Sequence, residues 1–177
     1  MKKIYLLLIA LMFLLTSCSF GGLNMGIFDE DDESIANNTF KQIVNAIKCQ
    51  DKTALETLFS EKVHEEVSNF DVDATDFLNF IQGEITSFDD AAEAGVGTDG
   101  EIEYGKKRKE IQSSFGVETS EQKYYIAIRE CTVDTFDPDN VGIKSIYIIN
   151  AKDWKEDYVY RGDGKWTPGI VIDQKKE

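Results

Sequence analysis

Glu130 and Asp134 are the carboxylates of this sequence most suited to acid–base work. A strand carboxylate beside a tyrosine can serve as base and oxyanion donor once burial raises its pKa. The sequence does not orient such a pair, so no catalytic residue is assigned. His64 is the sole histidine and precedes Glu65 and Glu66, which leaves no HExxH pattern and no Cys/His zinc set. There is no GxSxG elbow either, so a hydrolase triad would have to recruit an unmarked serine. Asp134, Asp137 and Asp139 gather around a predicted turn, where Asx-type bonding accounts for them without a metal. No cofactor or metal is expected.

Three further patterns have ordinary explanations. Gly95-Val96-Gly97-Thr98-Asp99-Gly100 matches GxGxxG, but a dinucleotide loop needs a strand before it and a helix after it, and neither is predicted here. Arg161-Gly162-Asp163 spells an adhesion triplet, yet its glycine and aspartate, with Gly164, are what a tight turn requires. Lys106-Lys107-Arg108-Lys109 is the one dense basic run. A solvated strand or loop that offsets nearby acids and discourages edge pairing explains it best. A speculative pocket is drawn from Tyr125, Tyr147 and Trp154, whose rings join an apolar body to a polar tip.

The most specific signal lies at the N-terminus, where Lys2 and Lys3 precede an apolar run from Ile4 to Leu15. Twelve residues rise only about 18 Å as a helix, short of a bilayer core of roughly 30 Å. The run therefore reads as a signal peptide over residues 1–17. Leu15-Thr16-Ser17-Cys18 matches the lipobox of bacterial lipoproteins, in which the cysteine thiol takes a diacylglyceryl group and becomes the first residue after cleavage. Residues 18–34, with the acidic run Asp29 to Glu33, read as a tether, and residues 35–177 as one domain. The expected location is the extracytoplasmic face of the cell membrane, held by lipid.

Charge supports that assignment. The chain has 33 acidic and 19 basic residues, a formal −14. Loss of residues 1–17 removes two lysines and no acids, which brings the mature body to about −16. Such a body does not bind nucleic acid and is repelled by anionic headgroups, so the two acyl chains must hold it. Of the other cysteines, Cys49 and Cys131 are too far apart in sequence for a CxxC site and read as two small buried residues.

The first half is predicted helical. Phe40, Ile43, Val44 and Ile47 form a stripe on a helix over 35–48, Asp51 and Ser60 cap two more, and Asp73 opens a fourth that Gly83 ends. Residues 123–133 and 143–151 are β-branched and aromatic and predict strands. A further hairpin is expected around residues 162–164, and a mobile segment at 91–100 between one or two strands. Helices first and strands afterward give an α+β fold with helices packed on an antiparallel sheet.

Residues 50–60 (QDKTALETLFS), 77–85 (FLNFIQGEI) and 139–149 (DNVGIKSIYII) resemble an uncharacterised family of Firmicute lipoproteins, domain of unknown function 5104, over roughly residues 35–172. That family is similar to the cystatin-like, nuclear-transport-factor-2-like superfamily. The resemblance implies a curved antiparallel sheet wrapped by N-terminal helices into a cone with a pocket. Superfamily relatives include isomerases, dehydratases, ligand binders, dimers and scaffolds, so the fold implies a cavity and no chemistry. The expected role is non-enzymatic binding of a small molecule, peptide or protein. A cofactor-independent isomerase or lyase, or a structural homodimer, are the alternatives.

Overall fold

Two periodicities divide the residues that the computed structural model describes, 31–154 and 166–173. A 3.6-residue stripe builds the helical layer. Helix α1 (Asp32–Cys49) buries Ala36, Phe40, Ile43, Val44 and Ile47. It begins three residues ahead of the expected start, inside the stretch read as tether, because Asp32 and Glu33 sit well against the positive end of the helix dipole. Helix α2 (Lys52–Glu56) is capped by Asp51, which accepts from the Ala54 amide, and α3 (Glu61–Glu66) by Ser60, which accepts from Val63. Helix α4 (Phe70–Phe80) starts ahead of Asp73, since Phe70 is pulled into the core against Phe59, ring centroids 4.6 Å apart. It ends at Phe80, and Gly83, at φ +81°, shapes the turn that follows rather than the helix end.

The sheet takes the rest. Strands β1 (Ile85–Phe88) and β2 (Val96–Glu103) flank the short helix α5 (Ala91–Ala94), and both pair antiparallel with the long strand β3 (Lys106–Thr119). Strands β4 (Lys123–Asp134) and β5 (Gly142–Asn150) continue the antiparallel order. Strand β6 (Gly169–Asp173) then closes that edge, running parallel to β5. The segment expected to be mobile at 91–100 is thus α5 and half of β2, because β3 is long enough to supply it with ladder partners. Of the hairpin expected around residues 162–164, residues 169–173 are a strand, which pairs parallel with β5, while residues 155–165, with the other arm and the Arg161-Gly162-Asp163 triplet, lie outside the described residues.

Alternation sorts the sheet into two faces. Phe115, Tyr124, Ile126, Ile128, Ile146 and Ile148 join the helices in one core, with Phe40 stacked on Phe115 at 3.9 Å. Glu110, Tyr125, Arg129 and Tyr147 belong to the other face. Register shifts at Ile85/Ser87, Lys109/Glu110 and Arg129/Glu130 interrupt the ladders and bend them. The sheet also has two distinct ends. One carries the β2–β3 turn at Tyr104–Gly105, the β4–β5 loop and the start of α1. The other carries the β3–β4 turn, the end of α4 and the ends of β5 and β6.

The helical layer is stitched to the sheet by backbone. The Ile143 amide donates to the Leu58 carbonyl at 2.9 Å, and the Ser60 amide to the Ile143 carbonyl at 3.0 Å. Gly142 makes that approach possible, since it holds φ +126° and a Cβ there would lie 2.7 Å from the Ser60 nitrogen. Gly142→Ala therefore combines backbone strain with a backbone clash and should cost roughly 2–4 kcal/mol in urea denaturation. Gly95→Ala, at φ +84° with open space around it, is the control and should lose about 1 kcal/mol.

Candidate functional site

At the end of the sheet where β5, β6 and α4 finish, a cleft of about 530 Å³ opens to solvent. Its back wall hangs on Tyr124, which is fully buried. The Tyr124 hydroxyl donates to the Phe80 carbonyl at 3.1 Å and accepts from the Gln82 amide at 2.8 Å. It also accepts from the Gln122 side-chain amide, while Gln122 accepts from Asn150. Asn150 Oδ1 in turn accepts from the Lys152 amide at 3.2 Å and caps the 3-10 turn Ala151–Asp153. A chain of fixed amides thus runs from the interior to the rim, with its geometry set before any ligand arrives.

The lining is polar and slightly acidic. Asp76, Asp153 and Asp173 face it along with one ammonium, Lys152. Asp173 receives the Tyr147 hydroxyl. The side chains of Asp76, Asn79, Gln82 and Lys152 have no hydrogen-bond or ion-pair partner among the described residues. Free carboxylate, carboxamide and ammonium groups around a volume of this size suit a small, multiply hydrogen-bonding ligand.

Tyr125, Tyr147 and Trp154, read as a pocket from the sequence, are not among the residues that line this cleft. Tyr125 and Trp154 form a tilted pair, centroids 5.2 Å apart and each about 40% exposed, on the sheet face away from the helices. Trp154 directly follows Asp153, and Tyr147, almost fully buried, holds Asp173. The lining residues Asp76, Asn79, Gln82, Gln122, Asn150 and Asp173 were not singled out by their sequence. Their only signal is an amide or acid at the point where an apolar pattern stops. Cys18, the expected lipid site, lies outside the described residues.

The carboxylates considered for catalysis sit elsewhere. Glu130 is on the helix side of the sheet, only 7% exposed, with Oε2 accepting from Thr39 Oγ1 at 2.8 Å and Oε1 without a partner. Burial raises its pKa to about 7, and no tyrosine bonds to it. Asp134 anchors the β4–β5 loop: Oδ1 accepts from the Phe136 and Asp137 amides and Oδ2 from Asn140. Burial pushes that carboxyl up, but those bonds outweigh it and hold it below the ordinary range. Asp137 is engaged by Lys62 at 2.6 Å. His64 is exposed, edge-on to Phe70, with Nε2 3.1 Å from the Glu56 carbonyl oxygen.

Most of the basic run is solvated as expected, with Lys106 exposed and Lys107 and Arg108 half-buried, but it is not at a sheet edge and Lys109 is buried. The run opens β3, an interior strand; Arg108 pairs with Glu101 at 3.3 Å, and Lys109 Nζ is 2.5 Å from Asp32. Gly95–Gly100 forms the α5 cap and a stretch of β2, with no helix after it. Among the described residues, Cys49 and Cys131 are free thiols. Cys131 is buried, its pKa pushed to about 11 by burial and by Glu110 and Asp134, whereas Cys49 is exposed because α1 ends there.

A family model described as a domain of unknown function (DUF5104) matches residues 42–151, from α1 to the end of β5. No curated protein matches the chain.

Glu130 gives a direct test of the interior. Its folded pKa, about 7, lies above the ordinary 4.5, so its contribution to stability is full below about pH 4.5 and is lost as pH rises through 7. Glu130→Gln keeps the neutral shape and should leave stability nearly unchanged at pH 4.5. At pH 8 the variant should exceed the parent by about 1–3 kcal/mol in chemical denaturation, and a constant difference across that range would refute the buried neutral acid.

Proposed function

The chain belongs to the DUF5104 domain family, and from that premise we propose that it is a membrane-anchored extracytoplasmic lipoprotein whose domain binds a small polar ligand without transforming it. The observation that carries this reading is the cleft at Asp76, Gln122 and Asn150, the polar cavity whose walls are pre-set by the Tyr124 bonding chain. Glu130, the carboxyl group tuned near neutrality, is sealed against Thr39 and does not line that cleft, which favours binding over acid–base turnover.

Anchoring rests on Lys2, Lys3, the Ile4–Leu15 run and Cys18. No helix among the described residues is long and apolar enough to cross a membrane. In this reading the helices and sheet correspond to the cystatin-like cone of Firmicute lipoproteins. The part of the interior between α1 and β3 is packed by Phe40 on Phe115, so the accessible space is at the rim.

Two measurements test the proposal. Expressed in a Gram-positive host, the full chain should enter the detergent phase on Triton X-114 partition, and Cys18→Ser should move it to the aqueous phase. Titration of the Cys18→Ser protein with millimolar mixtures of amino acids, monosaccharides and polyols should shift the NMR side-chain amide signals of Asn79, Gln82, Gln122 or Asn150. Shifts confined to other surfaces would overturn the cleft as the binding site.

A further inference from the structure

We propose that the end of the sheet carrying the β2–β3 turn docks on the headgroup layer of the phospholipid bilayer that holds Cys18, so that the cleft points away from the membrane; this rests on the lipid anchor proposed above.

Four exposed large apolar side chains mark that end: Ile102, Tyr104, Phe136 and Val141. Tyr104 is 98% exposed and sits at φ +50° in a two-residue turn with Gly105 at φ +80°. Such turns prefer Asn, Asp or Gly at both positions, so a fully solvated aromatic there has no local structural reason. The β4–β5 loop lies beside the turn, tied by the Thr135 amide to the Lys107 carbonyl at 2.8 Å, and Lys106 Nζ is 5.6 Å from the Phe136 ring centroid. Aromatic rings with flanking long cations fit the headgroup layer, where the ring is half-buried and the ammonium reaches phosphate.

The chain enters the domain at this same end. Asp32, the first residue of α1, holds Lys109 of β3 and accepts from Thr98 Oγ1 of β2. Cys18 precedes it by 14 residues, which span at most about 50 Å. Lipid insertion therefore keeps the turn within that reach of the bilayer, and a weak apolar contact suffices once it is intramolecular. At this end Lys106, Lys107 and Arg108 stand among Glu101, Glu103, Asp137 and Asp139, so the contact rests on the apolar side chains and the short tether rather than on net charge.

The test uses lipidated full-length protein in phosphatidylethanolamine/phosphatidylglycerol vesicles that carry acyl chains brominated near the headgroup. Tyr104→Trp should add a tryptophan signal quenched at least twofold more than that added by Glu121→Trp, in the exposed β3–β4 turn at the other end. If the protein floats with the vesicles but the two sites quench equally, the orientation is overturned and the anchor stands. If it does not float, the anchor fails and the orientation falls with it. Concentration-dependent dimers of the Cys18→Ser protein that Tyr104→Ser abolishes would assign the patch to a second copy and also overturn the proposal.

Discussion

The backbone pair between Ile143 and the Leu58–Ser60 segment is the constraint from which the rest of this structure follows. Most helix–sheet contacts are side-chain packing, which tolerates small displacement, whereas two hydrogen bonds at 2.9 and 3.0 Å fix a helical junction against a strand to a fraction of an ångström. With α2 and α3 pinned there, α4 packs on through Phe59 and Phe70. Its C-terminal end then delivers the Phe80 carbonyl and Gln82 amide to the Tyr124 hydroxyl. One close approach at Gly142 is thus tied, through α4, to the wall of a cleft at the other end of the sheet.

The sheet itself separates two opposite electrostatic environments within neighbouring residues. Glu110 and Glu130 belong to adjacent strands, Glu110 opposite Cys131 and Glu130 opposite Ile111. On the helix side Glu130 meets one hydroxyl, and burial raises its pKa. On the other face Glu110 is as deeply buried, but Lys144 and Arg129 bond to it and hold its carboxyl below the usual range despite burial. The same residue type is pushed up on one face and held down on the other, and the clearest difference is the supply of cationic partners. Breaking the outer network would leave a buried charge unpaired, the costlier of the two failures.

How much of this was legible in the sequence depends on how local the cause was. The α1 stripe and the caps at Asp51 and Ser60 are local, and they stand where the residues place them. The start of α4 was not, because Phe70 is recruited by Phe59 across a loop. Nor was the burial of Lys109, whose partner Asp32 is 77 residues away in the chain. The cleft escaped for the same reason. Asp76, Gln122, Asn150 and Asp173 are unremarkable polar residues at the ends of elements, and they become a site only because four separate segments finish at one place. Aromatic content drew attention instead to Tyr125, Tyr147 and Trp154, of which Tyr147 touches the cleft only through Asp173.

The antiparallel order also governs what lies at each end. Because β4 and β5 are joined by a short loop, the start of β4 and the end of β5 must coincide in space, which brings Gln122 beside Asn150. Parallel β6 runs with β5 and finishes at the same level, adding Asp173. The β2–β3 turn is necessarily at the opposite end, since β3 runs antiparallel to β4. Helix α1 starts there, at Asp32, and runs toward the β1 end of the sheet, where Phe40 meets Phe88. A chain that enters at one end and gathers polar groups at the other would, under the proposed anchoring and binding roles, separate the two by the length of its strands. No hinge or second domain is needed for that separation; it follows from strand direction alone.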